Sequence, residues 1–396
     1  MGKKDKIYIA IIIFIFLGNI CFFAAEKSKV SIVNTTIRAV KGYYYKNVSA
    51  QSLVEGSLRG AVSSLNDRYS YYMSKNQFKG FLKSVNGEKY VGVGIILTKK
   101  KNKLMIEDAL LKGPAYKAGL REGDIILKID EEPLTDGSLF DALKLLKGKV
   151  DSKVKLKIKR DKEIKWVTVT RKNINSKYVD HKMIDKNIGY IQVAKFVPKI
   201  SEKVRKSVEE LQDQGAKSFI LDLRENPGGS LPEAISMAEI FLKKGTPIVK
   251  VAIKGEKDKL YTSKKTPETN SPLVVLVDNG SASASEIVTG ALKDNHRATI
   301  VGEKTFGKGL IQEIMNFKRI NSIYGGLKLT IGMYYTPSGA YINKKGIKPD
   351  IEIKQKIHSL NKIGTIDLMA SKKKKEKDKQ LEAAVKECKK KIKESL

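Results

Sequence analysis

Cysteine, histidine and acidic side chains are scarce in this 396-residue chain. There are two cysteines: Cys21 in an N-terminal apolar run and Cys388 near the other end. They cannot build a disulfide framework, so the domains must rest on their hydrophobic cores. Only three histidines occur, His181, His296 and His358, and no metal-ligand spacing is present, so no metal or other cofactor is expected. There is no internal repeat and no signature of a nucleic-acid-binding fold. Acidic residues number 43 against 76 Lys and Arg, a net charge of +33. The lysines are spread along the whole chain. This reads as a general lysine bias, with attraction to an anionic membrane as a secondary consequence and no nucleic-acid partner.

The chain is long enough for two or three domains. Lys3, Lys4 and Lys6 precede an apolar run over 7–25, the basic and apolar regions of an export signal. Phe22 and Phe23 stand where a signal peptidase requires small residues. That favours a retained anchor on the periplasmic face of the inner membrane over a periplasmic form released by cleavage. Ile20 fits a lipoprotein signal poorly, so Cys21 reads as one more apolar residue.

Residues 32–65 carry helical apolar spacing, followed by the aromatic cluster Tyr69-Ser70-Tyr71-Tyr72. From about residue 89 to 172 the texture changes to short strands and glycine turns. There, 154–158 and 166–169 alternate like half-exposed strands, and 139–146 is an amphipathic helix. Beyond 188, strands expected at 188–193, 219–223, 248–253, 273–277 and 299–301 alternate with helices at 201–214, 231–242 and 283–293. This is the pattern of an α/β layer fold. Lys372 to Lys375 begin a basic tail. In it Leu381, Ala384, Val385 and Cys388 have helical spacing, so the tail should end in a docked helix with Cys388 as a small apolar contact.

Chemistry concentrates at Ser281-Ala282-Ser283-Ala284-Ser285, between an apolar strand and a helix. A hydroxyl there lies beside unpaired backbone N–H groups, as a nucleophile and its oxyanion hole require. Helix capping explains a serine at this place equally well, and the pattern does not choose among the three. A second strand feeds Asn226-Pro227-Gly228-Gly229, whose glycines can present N–H groups. His296 is a helix length away from the serines, so a lysine is the better base, since burial lowers its pKa. Lys308, in Gly307-Lys308-Gly309, is preferred to Lys304, which follows Glu303. Gln312, four residues on, can orient the amine.

These residues resemble the C-terminal processing peptidases (tail-specific proteases) of the S41 serine protease family. The resemblance is carried by Leu65-Asn66-Asp67-Arg68-Tyr69-Ser70, by the PDZ-like string from Gly113 through Asp130 and by Leu221 through Gly229. The serine segment, Gly302 through Gly309, Tyr335-Thr336-Pro337-Ser338-Gly339 and Gly346-Ile347-Lys348-Pro349-Asp350 complete it. It implies an α/β protease core with crotonase/ClpP-like layers (173–358) and an inserted PDZ domain (87–172). A helical N-terminal region (26–86) and a basic tail (359–396) would flank them. It also implies Ser283 as nucleophile, Lys308 as base, Gln312 as orienting amide, and an oxyanion hole from Ala284 with Gly228 or Gly229. Residues Tyr90, Val91, Gly92, Val93 and Gly94 would grip the C-terminal carboxylate of a protein substrate. The helical N-terminal region and the tail helix suggest a homo-oligomer interface. The alternative is a PDZ-based periplasmic binding or scaffold protein with an inactive core. Departures from the family pattern are Lys149-Val150-Asp151-Ser152 without its usual glycine, Ala340 in place of a basic residue, and Asn66-Asp67 in place of an Asp-Pro type turn.

Overall fold

A computed structural model describes residues 31–88, 90–100, 103–109, 113–121, 123–133, 139–161, 163–174, 178–317, 325–355 and 377–394. The expected anchor with Cys21, His358 and the start of the basic tail lie outside the described residues. The chain divides into two compact units, Met1–Phe78 with Gln312–Thr330, and Lys79–Ile311 with Ile331–Leu396.

The first unit opens with α1 (31–43) and α2 (Ala50–Ser63), the latter capped by the Ser49 side chain accepting from the Ser52 N–H. The aromatic cluster that follows the helices is not helical: Tyr71–Ser74 forms β1. Its side chains alternate between exposed Tyr71 and buried Tyr72, and Met73 is also buried. The chain then enters the second unit through α3 (Lys75–Val85).

The second unit contains two six-stranded sheets with separate cores, a two-stranded sheet and strands of a further sheet. In its first part come β2 (Tyr90–Gly92), β3 (Ile95–Lys100), β4 (Lys103–Ala109), α4 (Pro114–Lys117) and β5 (Ile125–Ile129). After them follow β6 (Glu132–Pro133), α5 (Leu139–Leu146), β7 (Lys153–Arg160), β8 (Glu163–Thr170) and β9 (Lys172–Ile174). The order β3-β4-β5-β7-β8 makes β8 an edge, with β6 added on β5. Pro114 opens α4, where its missing N–H costs nothing, and Gly119 follows the helix at φ 92°, a conformation glycine adopts without strain. Leu104, Ile106, Leu120, Ile129, Leu156, Ile158 and Val169 fill the core of this part. Buried Asp124 takes two hydrogen bonds from Arg160, at 2.6 and 2.8 Å.

The remainder contains β10 (Val179–Asp185), β11 (Ile188–Val193), α6 (Ile200–Asp213), β12 (Ser218–Asp222), α7 (Leu231–Glu239) and β13 (Pro247–Ile253). Next come β14 (Lys259–Thr262), β15 (Leu273–Val277), α8 (Ala284–Asp294), β16 (Thr299–Gly302) and β17 (Leu310–Asn316). Finally there are β18 (Gly325–Tyr335), β19 (Ile351–Glu352) and α9 (Lys379–Glu394). The sheet order is β10-β11-β12-β15-β16-β19, and β11, β12, β15, β16 and β19 run parallel. Strands β11, β12 and β15 are buried at every residue, as expected where both faces of a parallel sheet are covered. One face packs against α6, α7 and α8. The other packs against α9 through fully buried Ala384 and Cys388. Burial pushes the Cys388 thiol pKa up to about 11, so the group stays protonated and apolar.

The strand expected at 248–253 is β13; it lies outside the parallel sheet, pairing with β14 and with the end of β18. The other end of β18 pairs with β1 in the first unit, and β17 also joins β18. Periodicity reports that a strand is buried but not which sheet it joins.

Candidate active site

The serine segment follows β15 directly, and its three hydroxyls have different fates. Ser281 is fully buried; its Oγ donates to the Leu223 carbonyl at 2.8 Å and accepts from the Asp278 N–H at 3.0 Å. Ser285, also fully buried, donates to the Asn226 carbonyl at 2.9 Å. Ser283 between them is half-buried and sits at φ 57°, ψ −112°. The helix-capping serines Ser49 and Ser230 have ordinary extended geometry, at φ −71° and −70°. A positive φ at a non-glycine residue is strained, and capping does not require it. It turns residue 283 out of the strand-to-helix corner, as in a nucleophile elbow.

The corner is held by a carboxylate that motif reading did not single out. Glu286 is fully buried and accepts four hydrogen bonds. They come from the N–H groups of Ser283 (2.8 Å), Gly307 (2.7 Å) and Lys308 (2.8 Å) and from the Thr305 hydroxyl (2.6 Å). One of its oxygens, Oε2, serves both Ser283 and Lys308, so it ties two residues 25 positions apart in the chain to a single atom. The visible signal was Ser-x-x-Glu, the capping-box spacing. Tyr334, which had no such signal, is 1 % exposed; its hydroxyl donates to the carbonyls of Ser283, at 3.1 Å, and of Lys308. The Gly346-Ile347 motif backs the same loop, with the Ile347 N–H on Thr305 Oγ1 at 2.7 Å. Lys308 is half-buried and Lys304 exposed. Glu303, expected beside Lys304, accepts the Gln355 N–H instead.

The glycine turn abuts the elbow. A Cβ on Gly228 would lie 2.5 Å from the Ala282 carbonyl oxygen and 2.7 Å from the Ala284 nitrogen, so only glycine fits at its φ of 90°. Asn226 fastens the two segments: its carbonyl accepts from Ala282 N–H at 3.0 Å and its Nδ2 donates to Val193 O at 2.8 Å. Its Oδ1 accepts the Gly228 N–H at 2.9 Å. That occupies one of the two glycine donors. The N–H groups of Gly229 and Ala284 have no acceptor among the described residues. Upstream, Arg224 is buried between Asp222 and Asp378, the latter capping α9.

Asp278 lies beneath the elbow. Its Oδ1 accepts from the N–H groups of Glu225, Gly280 and Ser281, while buried Oδ2 has no hydrogen-bond partner among the described residues. Burial raises its pKa, Asp222 adds to the effect, and the Glu225 and Gly280 N–H groups oppose it.

The remaining expected residues are dispersed. Gln312 belongs to the first unit, with Nε2 at 3.5 Å from Thr330 Oγ1. His296 follows the far end of α8, and His181 pairs with Glu210 and Ser207. Of the expected carboxylate loop, Tyr90, Val91 and Gly92 are not loop: they form β2, paired with β9. Val93 and Gly94 form the link to β3, and the Val93 carbonyl accepts the Ala115 N–H. Backbone pairing in β2 claims groups that a free loop would offer. Among the described residues no cluster of His, Cys, Asp and Glu is suited to a metal.

Comparison with known proteins identifies three regions. Residues 187–353 match peptidase family S41, 105–160 match a PDZ domain, and 23–77 match the N-terminal domain of the activating protease CtpB. A CtpA-like serine protease of Staphylococcus aureus (strain N315) is 36% identical over 341 residues, spanning 85% of this chain and 68% of the relative. One from Staphylococcus haemolyticus (strain JCSC1435) is 36% identical over 330 residues, spanning 83% and 65%. Among solved structures, the photosystem II D1 C-terminal processing protease superposes with a TM-score of 0.58 at 28% identity, covering 81% of this chain and 86% of its own.

Proposed function

The chain belongs to the C-terminal processing peptidases of family S41, serine-type peptidases with a PDZ domain, and we propose that Ser283 and Lys308 are its catalytic dyad. The observation that carries this reading is the shared Glu286 carboxylate, which holds a strained, accessible serine beside the lysine loop. Neutral Lys308 takes the Ser283 proton as Oγ attacks a peptide carbonyl. The C–N bond then breaks, the lysine returns the proton to the leaving amine, and water releases the acyl group with the lysine again as base. The N–H groups of Ala284 and Gly229 stabilise the oxyanion, a contribution of about 3–4 kcal/mol per donor in other enzymes. Gly229 is the better candidate because the Gly228 N–H is already engaged by Asn226.

The core belongs to the crotonase/ClpP-like layered class. Protein substrates are recognised by their C-terminal tails; the similar photosystem II D1 protein protease is itself a C-terminal processing protease. The tail adds as a strand to the PDZ sheet, with its carboxylate near Val93 and Gly94. The N-terminal apolar run exports the chain and anchors it, and the helices of the first unit contribute to self-association.

The test is cleavage of an unfolded protein with an apolar tail by the full chain. Ser283→Ala and Lys308→Ala should each lower kcat at least about 10⁴-fold, while Lys304→Ala leaves it unchanged. A Ser283→Ala protein as active as the parent, or loss at Lys304 alone, would overturn the assignment. A parent protein as inert as Ser283→Ala would point to a binding or scaffold role.

A further inference from the structure

The outer face of the PDZ sheet carries a pattern that peptide hydrolysis does not use. Along β7, Lys153, Lys155, Lys157 and Lys159 alternate with Val154, Leu156 and Ile158, which are fully buried. Alternation puts the four lysines on one face, successive ones about 6.8 Å apart. Directly opposite them in register on β8 stand Thr170, Thr168, Trp166 and Ile164. Trp166 is 46% exposed and Ile164 55%. On the other flank Lys128 of β5 lies beside Lys157. Among the described residues none of these five lysines makes an ion pair. Of the neighbouring acids, Asp124 pairs with Arg160, Asp151 with Lys172 and Glu163 with Lys165, while Asp130 accepts the Lys155 N–H and Asp161 sits in the β7–β8 turn, so the lysines outnumber the nearby free carboxylates. Lys157 lies 5.9 Å from the Trp166 ring centroid, so cation and aromatic are presented side by side.

We propose that this face docks on an anionic phospholipid surface, its lysines on the headgroup phosphates and Trp166 with Ile164 at the boundary between headgroups and acyl chains. Charge complementarity and composition select this partner. Lysine is a point charge suited to mobile phosphates, whereas reading nucleic acid draws on the planar fork of arginine and on rows of stacking rings. The face offers one ring and an adjacent aliphatic side chain, the pairing that suits a membrane interface. Two such faces repel each other, which disfavours a second copy.

Trp166 is the only tryptophan in the chain, so its emission reports this face whatever the N-terminal segment does. The full chain is added to vesicles of equimolar phosphatidylglycerol and phosphatidylcholine, with and without brominated acyl chains. The expected result is a blue shift and bromine quenching. Both should vanish in about 1 M salt, where charges are screened beyond about 3 Å, and be absent on phosphatidylcholine alone. Lys155→Glu with Lys159→Glu should lower the docked-to-undocked ratio at least about 25-fold, roughly fivefold per lysine, with peptide hydrolysis retained. Emission insensitive to phosphatidylglycerol overturns the proposal, as does quenching that is equal on both lipids and insensitive to salt. A response to single-stranded DNA without one to vesicles would overturn it in favour of nucleic acid.

Discussion

The peptidase elbow and the PDZ ribbon place their important side chains by opposite means. In the ribbon, β7 and β8 are neighbours in sequence, and strict alternation decides which residues face the core. In the elbow, Ser283 is positioned by Glu286, Asn226, Tyr334 and the loop at 305–308, segments far apart in the chain. The ribbon tolerates change one residue at a time, whereas the elbow should fail as a unit, because each donor has one buried acceptor.

The largest loss of stability is expected at Glu286. Replacing it by Ala leaves three N–H groups and the Thr305 hydroxyl without their acceptor, for a stability loss of about 3–5 kcal/mol and a fall in kcat beyond about 100-fold. Denaturant unfolding and steady-state kinetics measure both, and a kcat within twofold of the parent would show that the elbow does not need this carboxylate. The PDZ counterpart is Asp124→Ala, which strands the partly exposed Arg160. We expect a loss of about 2–3 kcal/mol confined to that part. Hydrogen exchange should then show β7 unprotected while β11 and β12 stay protected; uniform loss would mean that the two cores unfold together.

The glycines sharpen the contrast. Gly228→Ala drives a Cβ into the Ala282 carbonyl and should abolish hydrolysis. Gly119→Ala meets nothing within 4 Å and should cost only about 1 kcal/mol for its left-handed backbone, with activity retained. Equal activity in the two variants would break the comparison.

The smallest effect is a pH dependence. Because burial raises the Asp278 pKa in the folded state, its contribution to stability is present below the usual carboxylate range and is lost as pH rises through the raised value. Asp278→Asn keeps an acceptor at Oδ1 and removes the titration. The parent's stability advantage over the variant should therefore shrink across that window. A pH-independent difference would mean that the carboxyl titrates normally.

Much of this was legible in the chain. The apolar run over 273–277 is the strand observed, and the helical spacing of Ala384 and Cys388 corresponds to the face of α9 buried on the sheet. The aromatic cluster at 69–72 concealed β1, because four residues are too few for alternation to outweigh the helical pattern before them. Residues 90–92 resembled a loop because glycines mark turns, yet their partner β9 comes some eighty residues later.

By itself, the sequence determined the family, the buried strands and the serine-bearing turn. Each is written in local spacing or in a motif string. Only the tertiary structure separated Ser283 from two engaged neighbours and distinguished the Gly229 N–H from that of Gly228. It also revealed Glu286 and Tyr334 as the ties between the serine and lysine loops. Those distinctions depend on which hydrogen-bond partner is already taken, and the partners come from segments that meet only when the parallel sheet brings the ends of β12, β15 and β16 together.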